Sequence, residues 1–367
     1  MRKIIVSFKL KDILVGILIF NLCIIFLSLI VIGKNKEIGQ IKEPNSNLNK
    51  KVANKEVKNK KENSKEENNI RKEVLKKYID PKVKIYLTKE KRVIQLDLED
   101  YIVGVVSAEM PANFGEEALK AQAVAARTYT VAHMKGVFGG GCNLNKDADL
   151  CDSVHCQAYI NKEKRLAAWP KSESEDLYKK VEKAVKDTKC EVISYEEEII
   201  MTPFYFATSS GKTENAEEVF ATSSPYLKSV ESPGEEIAPK FKKEFVFLKE
   251  DFIKALKGKY PNLNVNSNNL NHNISILERS EGGSVKKVKI GNIVTTGKVV
   301  RSVMGLTSAN FNIEIEGNNI KFNCKGYGHG VGMSQWGASV MAKEGKDYKY
   351  ILNHYYKDTK ISKLKYK

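Results

Sequence analysis

The residues best equipped for chemistry in this 367-residue chain sit at two distant places. Toward the C-terminal end, Gly326-Tyr327-Gly328-His329-Gly330-Val331-Gly332-Met333-Ser334-Gln335-Trp336-Gly337-Ala338 mixes glycine with groups that bind ligands or carry protons. Glycine tolerates positive φ and lets other atoms come close to the main chain. The run therefore reads as backbone shaped for close approach rather than for core filling. His329, Ser334 and Gln335 could line such a surface, and Trp336 could offer it a flat face. Far upstream, Ser107-Ala108-Glu109-Met110-Pro111 puts a carboxyl at the end of an apolar helical stretch. Exposed carbonyls at a helix C-terminus carry partial negative charge, and apolar neighbours remove solvent. Both effects raise a carboxyl pKa toward what a general acid needs near neutrality. The plain alternative for Glu109 is a solvated side chain at a helix end, because perturbed carboxyls mark sites only statistically.

The elements that must position these groups follow from hydrophobic spacing. Val83-Lys84-Ile85-Tyr86-Leu87 and Val93-Ile94-Gln95-Leu96 read as two strands around the polar turn Thr88-Lys89-Glu90-Lys91. Leu98, Tyr101, Ile102, Val105 and Val106 recur at helical spacing behind Asp97, Glu99 and Asp100, and Met110-Pro111 ends that helix. An Ala-rich helix is predicted from Glu116 to His133, with Leu119, Ala123 and Ala126 suited to close packing, and a shorter one over Leu177 to Val185. Short β-rich runs follow at 191–195, 201–207, 274–277, 285–290 and 313–315, separated by Asn and Gly turns. The expected class is α+β with the helices toward the front, and a small helix over 251–259 belongs to a small appended lobe.

The net charge of +16 and pI near 9.3 call for an anionic partner: nucleic acid, membrane or an acidic polymer such as cell wall. No helix-turn-helix, zinc-finger repeat or aromatic-studded RNA-binding strand is present, which argues against nucleic acid. Part of the charge, ten lysines against six glutamates, lies between Lys34 and Asn69, a Lys-, Asn- and Glu-rich stretch without aromatics that reads as a polar tether. Ile13 to Ile32 is almost wholly apolar and long enough to cross a bilayer. Arg2, Lys3, Lys9 and Lys11 keep the preceding end cytoplasmic and send the rest outward. Val31-Ile32-Gly33-Lys34 lacks a small-x-small cleavage pattern, so an uncleaved anchor is expected rather than a signal peptide. The organisation is thus 1–33 cytoplasmic tip and anchor, 34–80 linker, and 81–367 one large mixed domain with a groove. Cys142, Cys151, His155 and Cys156 place three thiols and an imidazole in one loop. Four such donors suit a closed, structural tetrahedral Zn²⁺ site, although the adjacent His155-Cys156 departs from a CxxC knuckle. A disulfide between two of them, free thiols, or His133 as a substitute ligand are the alternatives, and Asp152 and Ser153 could border the groove.

Several stretches, in order, are similar to the sporulation cell-wall hydrolases typified by stage II sporulation protein D. They are Glu109-Met110-Pro111-Ala112, Glu117 to Tyr129, Pro203 to Glu217, Pro225-Tyr226-Leu227-Lys228-Ser229-Val230 and the closing glycine run. The resemblance spans roughly Val83 to the C-terminus. It implies Glu109 as the catalytic acid and Arg127 as an active-site arginine that would fix the carboxylate or anchor a sugar substituent. It further implies a Ser/Gly-rich turn with Ser209 and Gly211, and a groove served by Tyr226, Lys228, His329 and Gln335. Tyr226 and Lys228 alternate in what reads as an extended segment and so share one face, an aromatic to stack on a pyranose beside a cation for a lactyl carboxylate. Clostridial-looking members carry zinc near the cysteine cluster. Ala207-Thr208-Ser209-Ser210 and Met304-Gly305-Leu306-Thr307-Ser308 depart from the family pattern and bear on subsite detail.

The implied activity is lytic transglycosylation of peptidoglycan glycan strands stripped of their peptides, giving 1,6-anhydro-muramyl ends during engulfment of the forespore. The implied setting is the mother-cell membrane, with other engulfment wall hydrolases, an amidase foremost, as partners. Two other readings compete: a non-enzymatic wall-binding subunit that promotes a partner amidase, and a zinc hydrolase with an open metal position.

Overall fold

The computed structural model describes residues 74–137, 139–220 and 222–367. The expected anchor at 13–32 and most of the linker lie outside the described residues. Among those described, no helix is long and apolar enough to cross a membrane. The fold is mixed α+β.

Strand β1 (Tyr78–Ile79) leads into the hairpin of β2 (Lys82–Leu87) and β3 (Arg92–Asp97), paired antiparallel from Lys82↔Asp97 to Leu87↔Arg92. Val83, Ile85 and Leu87 alternate inward, the two-residue period of a half-buried strand. Helix α1 (Leu98–Glu109) follows without a loop, with Glu99 and Asp100 in its first turn where the helix dipole favours anions. It stops because Met110 precedes a proline and turns extended, at φ −123° and ψ 138°. Helix α2 (Glu116–His133) then buries Ala118, Ala121, Ala123, Ala125 and Ala126 completely. Side chains this small let α1 and its other neighbours approach closely. Strand β4 (Leu150–Cys151) adds parallel to β2, α3 (Lys162–Ala168) and α4 (Ser174–Asp187) cover α1, and β5 (Glu191–Tyr195) pairs with β6 (Glu198–Ile199). A two-residue strand β7 (Tyr205–Phe206) and the short helix α5 (Ala216–Phe220) come next.

The chain then leaves this first core to build a second. β8 (Lys242–Leu248), α6 (Lys249–Lys259), β9 (Ile274–Arg279), β10 (Val285–Ile290), β11 (Ile293–Thr295), α7 (Gly297–Met304), β12 (Phe311–Glu316) and β13 (Asn319–Lys325) form two antiparallel three-stranded sheets. Phe252, Leu256, Val288, Phe311, Ile320 and Phe322 fill the space between them. The lobe expected around the 251–259 helix is therefore an insertion, because the chain returns to the first core afterward. There β14 (Met333–Ser334) pairs with β7, α8 (Gln335–Lys343) and α9 (Tyr348–Tyr355) pack on α2, β15 (Lys360–Lys363) joins β5 and β16 (Lys365–Tyr366) joins β1.

Arg127 is wholly buried, but not beside Glu109. The short connection at 110–115 sends α2 back along α1, so Arg127 comes level with the beginning of α1. Its guanidinium donates to both Glu99 oxygens, at 2.6 Å from Nη2 and 3.0 Å from Nε, and to the carbonyls of Glu191 and Val185. Glu99 and Glu109 are ten residues apart on one helix, about 15 Å along its axis. The arginine expected at the site is thus a structural ion pair at the other end of the helix. Glu99→Gln removes the counter-charge of a buried guanidinium and is expected to lower unfolding stability by about 3 kcal/mol, read from the denaturant midpoint.

Candidate active site

Glu109 is the last residue of α1 and opens on a cavity of about 590 Å³. Among the described residues of its wall Glu109 is the one carboxyl group. Phe204, Phe206 and Phe220 surround His329 in the same wall, with ring centroids 5.3 to 5.8 Å from the imidazole. The half-buried Glu109 is pushed above the ordinary carboxyl pKa by loss of solvent, and a backbone hydrogen bond opposes that push. The donor is the Ala158 N–H, 2.7 Å from Oε1.

The segment carrying Ala158 lies directly on α1. A Cβ at Gly104 would come within 2.3 Å of the Tyr159 ring, so only glycine permits this approach. Buried Gln157 donates to Thr130 Oγ1 (2.7 Å) and the Tyr101 hydroxyl (3.3 Å) and accepts from the Tyr205 hydroxyl (3.3 Å). This relay fixes Tyr205 and the Ala158 N–H relative to both helices.

The same segment begins in the cysteine loop. Cys142, Cys151, His155 and Cys156 bring four donor atoms within 4.8 Å of one another. Sγ of Cys142 and Cys156 are 3.8 Å apart, and His155 Nδ1 is 3.8, 3.7 and 3.4 Å from the sulfurs of Cys142, Cys151 and Cys156. Tetrahedral zinc bonds to sulfur and nitrogen imply edges of about 3.8 Å and about 3.5 Å. These four edges are close to that geometry, the remaining ones extend no further than 4.8 Å, and the cluster could hold a metal ion. The cysteines are free, far beyond the disulfide distance of about 2.05 Å. His133 is engaged elsewhere, stacked on Tyr129 with its Nδ1 on the Tyr129 carbonyl. Asp152 accepts from the Thr88 N–H and hydroxyl, which pins the loop to the hairpin rather than bordering the groove.

The glycine run is bent as its sequence requires, with Gly326, Gly328, Gly330 and Gly332 all at positive φ. What comes close, however, is the protein itself: backbone at Gly326 and Gly332, and the Phe206 and Glu214 side chains at Gly328 and Gly330. A Cβ at Gly332 would lie 2.0 Å from the Phe204 carbonyl, and Met333 N–H donates to that oxygen. Tyr327 and Thr208 exchange hydrogen bonds in both directions. The run thereby carries His329 and Gln335 into the cavity wall. Gln335 also donates to Gln122 (3.2 Å). Ser334 instead caps α8 and donates to Glu235, while Trp336 packs edge-on against Phe114.

Ser209 is buried, and its N–H and hydroxyl both donate to Glu235. Gly211 sits in the same turn at φ +109°. Tyr226 and Lys228 do not line the cavity that holds Glu109. Tyr226 shares a hydrogen bond with Thr202 (3.1 Å) in a separate hollow, and Lys228 pairs with Glu217 (3.2 Å). Their segment opens in a turn rather than an extended strand.

Comparison with known proteins now bears on this geometry. The profile of the SpoIID family, Stage II sporulation protein, matches residues 86–195, which include Glu109, the segment that bonds it and the cysteine loop. Stage II sporulation protein D of Bacillus subtilis (strain 168) is 37% identical over 280 residues, covering 76% of this chain and 78% of that protein. The chain belongs to the stage II sporulation protein D family. The Bacillus amyloliquefaciens protein of the same name is 36% identical over the same shares. An amidase enhancer of Bacillus subtilis (strain 168) is 26% identical over 306 residues, covering 71% of this chain and 40% of that protein.

In this stage II sporulation protein D relative, sequence reasoning passed over Gln157, Tyr205, Glu235 and Arg301. Arg301 is the arginine in the cavity wall, brought there by α7. The signal for it was the Thr296-x-x-Val299 start of an amphipathic helix, whose cap Thr296 accepts from the Val299 N–H. Burial, with the Arg301 charge adding to it, holds His329 down to about 4 from its ordinary 6.5. A lowered value favours the neutral ring, so His329 contributes nothing cationic at neutrality, and folded stability is lost as pH falls from 6.5 through about 4. Imidazole NMR is expected to give a His329 midpoint near 4; a midpoint near 6.5 would mean that water reaches the ring freely.

Proposed function

We propose that this chain is a membrane-anchored lytic transglycosylase that cuts the bond from N-acetylmuramic acid to N-acetylglucosamine in peptide-free peptidoglycan strands. The observation that carries the reading is Glu109, a desolvated carboxyl and the one carboxyl group among the described residues that line its cavity. Glycosidases that use water employ two carboxyl groups, one of them to activate the nucleophile. A single group suffices when the nucleophile belongs to the substrate. Protonated Glu109 would give its proton to the glycosidic oxygen as the C1–O bond breaks. The resulting carboxylate would take the proton of the muramyl C6 hydroxyl as that oxygen closes on C1. The 1,6-anhydro ring forms, no water is consumed, and Glu109 ends protonated as it began. The Ala158 N–H favours the carboxylate stage and desolvation favours the acid stage, which keeps both accessible to one residue.

The similarity to stage II sporulation protein D supports a role in sporulation, in the mother-cell membrane, with 13–32 as anchor and 34–80 as reach. The similarity to a protein named amidase enhancer supports an amidase as partner. A structural Zn²⁺ on Cys142, Cys151, His155 and Cys156 would have four protein ligands and no open position for chemistry. It would brace the loop whose continuation donates to Glu109.

Mass spectrometry of purified glycan digested by the chain is expected to show anhydro-muramyl ends. Glu109→Gln should lower their formation by at least about a hundredfold, and ordinary reducing ends from the unaltered chain would overturn the mechanism. Because the Glu109 pKa is raised, the acid form persists to higher pH, so the alkaline fall of kcat/KM should lie above the ordinary carboxyl value of 4.5. For the metal, elemental analysis should find one zinc per chain. Chelation should lower the thermal midpoint, with activity falling in step; prompt loss at an unchanged midpoint would point to a catalytic metal instead.

A further inference from the structure

Past Tyr327 and Arg301 the Glu109 cavity continues into a second hollow of about 580 Å³, and both residues belong to both walls. This second hollow is lined by Lys240, Lys243, Lys298 and Arg301, and no carboxylate lines it among the described residues. The partners of these cations are ring faces and backbone carbonyls. Lys240 lies 4.8 Å over the Tyr327 ring and Lys243 4.7 Å over Phe245. Lys298 donates to the Val219 carbonyl (3.3 Å), and Arg301 Nε to the Leu306 carbonyl (3.4 Å). Four like charges converging on one concavity repel one another, and none of the four is in an ion pair among the described residues; the carboxyl groups of Glu214 and Glu218 lie in an adjoining hollow that Lys298 and Arg301 also line. The Nε bond and the α7 scaffold hold Arg301 by its inner edge and leave its two terminal nitrogens as the planar fork that suits a carboxylate.

We propose that this hollow is an anion subsite of the groove, in which Arg301, supported by Lys240, Lys243 and Lys298, binds the free lactyl carboxylate of a peptide-stripped muramyl residue. The proposal rests on the reading of the groove as a glycan site. A muramyl residue with its stem peptide presents an amide there, which is uncharged and bulky. Removal of the peptide by an amide hydrolase exposes the carboxylate that this subsite recognises.

The test uses the full chain carrying Glu109→Gln, so that bound glycan stays intact. Its probes are end-labelled peptide-free glycan chains and the same chains with their lactyl carboxyls converted to methylamides. Methylamide formation is expected to weaken binding by about tenfold or more, the scale of a charge-assisted bond. Adding Arg301→Gln should weaken binding of the carboxylate chains by a similar factor and leave the methylamide chains unaffected. If Arg301→Gln disturbs folding, the double variant Lys240→Gln/Lys243→Gln, altered at exposed positions, should show a smaller loss with the same selectivity. Equal losses on both glycans, or a carboxylate preference that survives Arg301→Gln undiminished, would mean general attraction to a polycation and overturn the subsite. If the carboxylate preference holds while the unaltered chain yields no anhydro ends, the subsite stands and the transglycosylase reading falls.

Discussion

One buried carboxylate gathers the site together. Glu235 accepts from the Ser209 hydroxyl and Ser232 hydroxyl on one oxygen, and from the Ser209 N–H and Ser334 hydroxyl on the other. Burial raises its pKa, and the serine donors, with the Ser209 N–H, work against that rise. These donors come from the turn after β7, the segment following Val230, and the start of α8. A buried acceptor of this kind tolerates the loss of none of them cheaply, since each orphaned polar atom costs about 1–3 kcal/mol. The glycine run can therefore be irregular without being loose. Its far end is fixed at Ser334, and its middle is held to the backbone at 204–208.

Against that fixed edge, Glu109 is tuned by two opposed influences of local origin. An apolar helix end desolvates it, and one N–H from a neighbouring segment solvates it again. The second influence depends on distant features: Gly104, which lets the segment lie down, Gln157, which keys it to α1, α2 and β7, and the cysteine loop at its start. The acidity of one side chain thus depends on the folding of a loop whose Val154, His155 and Cys156 line the same cavity.

Features set by short-range spacing were legible in the sequence. The β2–β3 hairpin, α1, α2 and the position of Glu109 at a helix end all follow from hydrophobic period and a proline stop. The α+β class follows from the same reading. Long-range pairing was not legible. Helical periodicity shows that Arg127 faces inward but not which end of α1 it meets, and the answer is set by a six-residue connection. Tyr226 and Lys228 alternate in sequence, yet the turn at Pro225 sends them to different partners. Glycine density correctly marks close approach, but composition alone does not say whether ligand or backbone does the approaching. The inserted lobe hides Arg301 for a related reason. Its helix is short and its cavity exists only once two cores are assembled side by side.

The parallel pairing of β1 with β16 has a mechanical consequence. Tyr78–Ile79 lie alongside Lys365–Tyr366, and the Lys367 N–H donates to the Ile79 carbonyl. Tension drawn through the segment before β1 would load those bonds in shear, the direction in which they must break together rather than unzip one by one. The Tyr366 hydroxyl donates to Glu99, which holds Arg127, so the strain would pass straight into the most deeply seated ion pair.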